Sequence, residues 1–221
     1  MESRRNWSRR LRRMADAAGV VDHKFFTQLE SGPERRTLLS LWAIQDYFVS
    51  RRFPCLIGSI VSHIDDPVAR HPMIENLWEE HGEGALSGTH YTLYCDLLES
   101  IDLPRDPLLS SANAETIEFI EKQEQLAKQD VFGGLGAFCY ANEYLTIAEF
   151  GPIWHAIEDE FPAANVRFFE ENVRVDSRHA RQTEDVIERL ADSDRDLMAV
   201  ERGAKEALAA RSRFYDALMS K

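Results

Sequence analysis

Long hydrophobic runs are missing from this chain. No stretch approaches the roughly 18 uninterrupted apolar residues that a membrane-crossing helix needs, so no bilayer span is expected. Cysteine is scarce. Cys55, Cys95 and Cys139 are odd in number and far apart, and neither a disulfide framework nor a Cys-x-x-Cys metal knuckle can be assembled from them. That usage suits a reducing cytoplasm, and the apolar neighbours of each thiol favour a small buried side chain over a nucleophile. Short alternating runs of β-branched residues are also scarce, which leaves little from which to build a sheet. Internal repeats, low-complexity tracts and long linkers are absent too. The 221 residues are therefore expected to form a single helical domain over 1–221, long enough to bury a core without staples.

Positive charge is in short supply beyond the N-terminus. The net charge is −12, yet residues 1–13 hold six arginines against Glu2, a local +5 that leaves −17 for the rest. An acidic body argues against nucleic acid as the main partner. Residues 1–17 read as a basic helix packed on, or appended to, that body. With no apolar segment or small-residue cleavage site behind the arginines, a secretory signal is not expected.

What the chain does have is period-3.6 apolar spacing nearly throughout, punctuated by Gly, Pro, Ser and Asp. The pattern predicts an all-α fold with helices over 4–17, 22–31, 34–64, 67–81, 88–101, 112–128, 130–149, 151–160, 163–191 and 194–219. Pro54 removes a mid-helix hydrogen bond and predicts a bend there. The segment 101–113, IDLPRDPLLSSAN, reads as the principal loop.

Ligand-type residues gather in three places. In FFEENVRVDSRH, residues 168–179, Asp176 and His179 lie one turn apart, and Asn172 falls one turn before Asp176 on the same face. In NLWEEHGEGALSGTH, residues 76–90, Glu79, Glu80, His81, Glu83 and His90 crowd a stretch broken by three glycines. Glu80 and His90 would stand about 80° apart on an ideal helix, so a local bulge is needed to bring them onto one wall. Glu79, His81 and Glu83 read as solvated helix-end residues. In FCYANEYLTI, residues 138–147, Glu143 stands among apolar neighbours and needs a partner, either a metal or an arginine such as Arg167 or Arg174. His23, His63, His71 and His155 lack companions at ligand spacing and read as structural. Arg51 or Arg52, near Pro54, is a candidate grip for a carboxylate, with a surface role as the alternative.

Read in order, His23-x-Phe25-Phe26, Asp46-Tyr47-Phe48, Phe53-Pro54, Asp65-Asp66, Asn76-Leu77, Glu79-Glu80, His90, Glu143, Phe168-Phe169 and Asp176-x-x-His179-Ala180 form a pattern over about residues 20–190. It resembles the haem-oxygenase-like family of non-haem di-iron oxidases and oxygenases, and in linear pattern the para-aminobenzoate-forming bacterial proteins. The resemblance implies a haem-oxygenase-like helical bundle, Fe(II) as cofactor with two irons, and Glu80, His90, Glu143, Asp176 and His179 as ligands. The family's remaining histidine falls on Asn172, so the second iron is expected to bind weakly, or Glu171 or water to substitute. The tyrosine and lysine of the para-aminobenzoate branch correspond to Phe26 and Ile153, so that activity is not expected.

By this resemblance the chain is an O2-dependent iron oxidase or oxygenase of specialised metabolism. Three carboxylates would carry −3 against +4 from two ferrous ions. The expected substrate is a small amino acid or amine, and the reaction C–H oxidation: desaturation, with or without C–N cyclisation such as azetidine formation. Alternatives are N-oxygenation or C–C cleavage in the same family, a metal-free thiaminase-like or cofactor-maturing enzyme, and a non-catalytic helical interaction module. The expected partners are dioxygen and a small molecule, with no nucleic acid and no membrane, in the cytoplasm; an external reductant and a homodimer stay open.

Overall fold

Side-chain caps decide where many of the helices begin. A computed structural model of the chain describes residues 6–220, the side chains of residues 174–177 excepted. Among the described residues there are ten α-helices and no strand: α1 (Trp7–Ala17), α2 (Lys24–Ser31), α3 (Arg35–Val61), α4 (Pro67–Glu80), α5 (His90–Ser100), α6 (Ala114–Gln129), α7 (Val131–Phe138), α8 (Thr146–Glu160), α9 (Arg167–Leu190) and α10 (Asp194–Leu218). Asp66 accepts from the Val68 amide to start α4, with Pro67 in the first turn, where a missing N–H costs nothing. Thr89 starts α5, Asn113 starts α6 and Asp130 starts α7 in the same way. Ser193 and Asp196 form a reciprocal capping box on α10.

The all-α expectation holds, with helix ends shifted by a few residues and one break displaced. The pattern placed a junction at residue 150, between helices over 130–149 and 151–160, but Phe150 lies inside α8, and the junction falls at 144–145. The cause is a π turn, Cys139–Glu143, that extends α7. Its wider winding is closed by the Tyr144 amide donating to the Cys139 carbonyl at 2.9 Å. Helix α3 runs unbroken through Pro54.

Helices α7 and α10 cross with their backbones in contact. A Cβ on Gly136 would lie 2.1 Å from the Val200 carbonyl oxygen, and one on Gly203 2.0 Å from that of Gly133. Only glycine permits this approach, and it brings α10 against the π turn. On the other side of the core an aromatic cluster joins α3, α5, α8 and α9. Trp42 stacks on Phe169 at 6.1 Å, and Phe168 meets Tyr94 at 4.6 Å and Phe150 at 5.6 Å. The basic α1 lies on the acidic body through Arg10–Glu201 at 3.0 Å and a two-point Arg12–Glu184 pair, while Trp7, Leu11 and Ala15 are buried. No described helix is long and apolar enough to cross a membrane.

Candidate metal centre and its cavity

The last turn of α4 carries Asn76, Glu79 and Glu80, and the chain then leaves the helix instead of bulging within it. Gly82, Glu83 and Gly84 all have positive φ, and two 3-10 turns, Gly82–Gly84 and Leu86–Gly88, fold over one another. A Cβ on Gly82 would sit 2.5 Å from the Gly88 carbonyl carbon, so glycine is required both by conformation and by contact. Thr89 then caps α5 so that His90 occupies its first turn, and His90 Nδ1 comes to rest 2.9 Å from Glu80 Oε1. A helix end and restart thus does what a bulge was expected to do.

The second pair is built from the π turn and α9. His179 faces two carboxylates, with Nδ1 3.5 Å from Glu143 Oε2 and Nε2 2.7 Å from Glu79 Oε2. Arg178 holds the same Glu79 at 2.5 Å. Asn76 Nδ2 donates to Glu143 Oε1 at 3.0 Å, while its buried Oδ1 has no hydrogen-bond partner among the described residues. Asn172 is buried on the cavity wall, its Nδ2 donating to the Phe168 carbonyl at 2.7 Å. Glu171 is half-buried. Asp176 belongs to α9, but its side chain lies outside the described residues.

One expectation needs correction. Glu79 is not a solvated helix end; it is pinned between Arg178 and His179 with 15% of its side chain exposed. Glu143 has Asn76 and His179 as neighbours; of the two arginines considered for it, Arg167 is exposed and the side chain of Arg174 lies outside the described residues. His23 is the α2 cap, and His63, His71, His81 and His155 are at the surface.

The donor chemistry suits a divalent iron: carboxylates and imidazoles, nearly all buried, with an orphaned amide oxygen beside them. Among the described residues the donors stand as two pairs, without a cluster of three or more converging. Charge explains this pairing. Burial disfavours the imidazolium of His90, but Glu80 outweighs it and the net shift is upward. For His179, burial likewise acts downward, and Glu143 and Glu79 together reverse it. Burial alone would raise Glu79, yet His179 and Arg178 bring its carboxyl below the ordinary value.

Glu80, His90, Glu143 and Asn172 help to line a small cavity of about 50 Å³, partly open to solvent. Val49, Phe53, Phe150 and Phe168 supply apolar walls, and Asp46, Ser50, Asn142, Thr146 and Arg211 supply polar ones. Phe168 also meets the His90 ring edge-on at 6.2 Å. Asp46 was read only as part of the ordered pattern, with no site role, and Arg211 was not singled out in the sequence. Arg211 reads as a surface residue on an amphipathic helix, and its burial depends on Glu149, which lies 62 positions earlier and accepts from its Nε at 2.8 Å. Arg51 and Arg52 do not reach the cavity; they pair with Asp106 and Glu124. Phe26 and Ile153 are buried in the core.

The chain is similar over its whole length to solved structures of low sequence identity. A CADD-like protein of unknown function from Nostoc punctiforme superposes with a TM-score of 0.81 at 16% identity, covering 99% of this chain and 97% of that one. A TenA homologue from Pseudomonas syringae gives 0.78 at 12% identity, covering 97% and 93%. A domain of unknown function with a haem-oxygenase-like fold from Shewanella denitrificans gives 0.77 at 17% identity, covering 96% and 89%. At these identities the likeness concerns the fold, which is haem-oxygenase-like. No curated protein matches the sequence significantly. The model of one family does match, over residues 40–212, which takes in both carboxylate–histidine pairs and Arg211. The chain therefore belongs to the family of iron-containing redox enzymes.

Proposed function

We propose that the protein is an O2-dependent non-haem iron oxidoreductase that oxidises a C–H bond of a small amine or amino acid. The observation that carries the reading is the presence of two buried carboxylate–imidazole pairs, Glu80–His90 and Glu143–His179, built from four separate elements, with Glu80, His90 and Glu143 lining a cavity with aromatic walls. Glu80, His90, Glu143, Asp176 and His179 would hold the iron, with Asn172 at the place of a sixth ligand. When bound there, iron supplies the one-electron and dioxygen chemistry that no side chain of this chain offers. Desaturation, with or without C–N cyclisation, is the preferred outcome; N-oxygenation and C–C cleavage fit the same cavity.

The protein's own residues orient and shield. His179 can present Nδ1 to the centre only if Nε2 keeps its proton, and Glu79 at 2.7 Å accepts that proton's hydrogen bond. Arg178 keeps Glu79 ionised for the task. Phe150 and Phe168 line the cavity with apolar surface that disfavours water beside the carboxylates. Asn172 offers a weaker donor than imidazole, which makes the second iron the more labile. The three free thiols suit a reducing cytoplasm.

A thiaminase-like reaction is less well supported, because it needs a thiol nucleophile in the cavity. Cys139 is fully buried, its thiol pushed up by burial and donating to the Ala180 carbonyl, and no cysteine is among the residues lining the cavity. The test is anaerobic reconstitution with Fe(II), then O2 uptake with a panel of free amino acids and amines. Uptake triggered by one of them supports the reading; iron-independent turnover contradicts it. A quantitative companion is Glu79→Ala, expected to weaken iron binding about 10- to 100-fold, with Glu79→Gln closer to wild type because its amide oxygen still accepts from Nε2.

A further inference from the structure

We propose that Asp46 is the anchor for the protonated amine of the substrate, so that the cavity selects cationic amines over neutral or acidic analogues of the same shape. The proposal rests on reading the cavity as the substrate chamber, and it assigns a role to its polar end that the iron centre does not require.

Asp46 lies on α3, where Asp46, Val49, Ser50 and Phe53 follow one face at helical spacing and all line the cavity. The residue is 4% exposed. A buried carboxylate ordinarily has a cation of its own, and among the described residues Asp46 has no ion pair. Ser50 on the same helix donates to it at 3.3 Å. Tyr94, from α5, donates its hydroxyl to the Ala43 carbonyl at 3.0 Å and also lies within hydrogen-bond reach of Asp46, a neutral partner that favours the carboxylate without cancelling its charge.

The charged group facing it from α10 is Arg211, and that guanidinium is already committed. Its Nε and one terminal nitrogen clasp Glu149 of α8, and its other terminal nitrogen donates to the Ala141 carbonyl at 3.1 Å and to Asn142 Oδ1 at 3.2 Å. Arg211 and Glu149 cancel. The polar end of the cavity therefore keeps one uncompensated negative charge, that of Asp46, and a saturated arginine with no fork left for a substrate carboxylate. Burial and Glu149 push the Asp46 carboxyl up, to about 6 against the pull of Arg211, which leaves it ionised at neutral pH and short of a counter-charge. An ammonium group supplies both the charge and three donors. The apolar walls beyond it, Val49, Phe53, Phe150 and Phe168, suit a short hydrocarbon body extending towards Glu80 and Glu143.

The test is calorimetric titration of the anaerobic protein, with and without Fe(II). Linear alkylamines from propylamine to hexylamine are compared with the matching alcohols, and free amino acids with their 2-hydroxy acids. Wild type should bind its best amine at least about tenfold more tightly than the hydroxy counterpart. Asp46→Asn should abolish that preference while leaving circular dichroism, iron content and affinity for the hydroxy counterpart unchanged, and Asp46→Glu should restore part of it. A preference that survives in Asp46→Asn overturns the assignment, as does a wild type that binds no amine better than its alcohol. Iron counting on the same samples separates the readings: intact iron binding without amine preference defeats Asp46 alone, whereas amine preference without iron defeats the iron reading alone.

Discussion

Burial lifts the carboxyl of Asp46 from 3.8 to about 6, with Glu149 adding to the rise and Arg211 opposing it. Because the folded value lies above the unfolded one, the folded chain holds this proton more tightly. The contribution to stability is full below about pH 4 and is lost as pH rises through about 6, a difference of about 3 kcal/mol. Asp46→Asn cannot ionise. It should be more stable than wild type by up to about 3 kcal/mol at pH 8, and thermal melts should show the gap closing by about pH 4. A less stable Asp46→Asn at pH 8 would mean that hydrogen bonds, and not burial, dominate the site. A carboxylate kept at such a cost fits a binding role, since function is a common reason for a destabilising buried charge. The neighbouring ion pair behaves differently: Arg211→Met should cost about 3–5 kcal/mol because it strands Glu149 fully buried and unpaired.

At the scale of elements, the α7–α10 crossing decides where the π turn and Arg211 meet. Gly203→Ala must push a methyl into the Gly133 backbone, and since backbone cannot turn aside, a loss of about 3 kcal/mol is expected. Gly58→Ala in α3 meets nothing within 4 Å and should gain about 0.4–1 kcal/mol. Chemical denaturation of the two variants checks both signs. The same crossing shows which parts of the fold were legible in advance. Helix periodicity and capping residues such as Asp66, Asn113 and Ser193 are local, so most helices were readable within a few residues of their ends. The π turn is not local. It depends on glycines of α7 meeting α10 more than 60 residues later, so the junction at 144–145 could not be placed. Glycines 82, 84 and 88 did mark the turn between Glu80 and His90, although not its form.

For the whole molecule, it was the resemblance carried by the ordered pattern, and not any helical face, that grouped Glu80, His90, Glu143 and His179; the fold sets them as two pairs, Glu80 with His90 and Glu143 with His179. The pattern did not announce the part played by Glu79. Neighbouring residues at a helix end differ by about 100°, and which of two glutamates faces α9 depends on how α4 and α9 pack. The site roles of Asp46 and Arg211 were illegible for a related reason: a charged side chain in an amphipathic helix reads as solvated until a distant partner buries it. Asn172 has the reverse character: it stood out in sequence, and it lines the cavity. Replacing it with histidine should tighten the weaker iron, seen as slower loss of that metal to a chelator, without changing the fold.

The central claim is that these side chains form an iron centre, and anaerobic Fe(II) titration with metal counting tests it most directly. Wild type should take up two irons per chain, one held tightly and one released readily, and Glu80→Ala and His179→Ala should each lose at least one while remaining folded. Iron uptake no greater than that of an unrelated control protein, or unchanged by both substitutions, would contradict it.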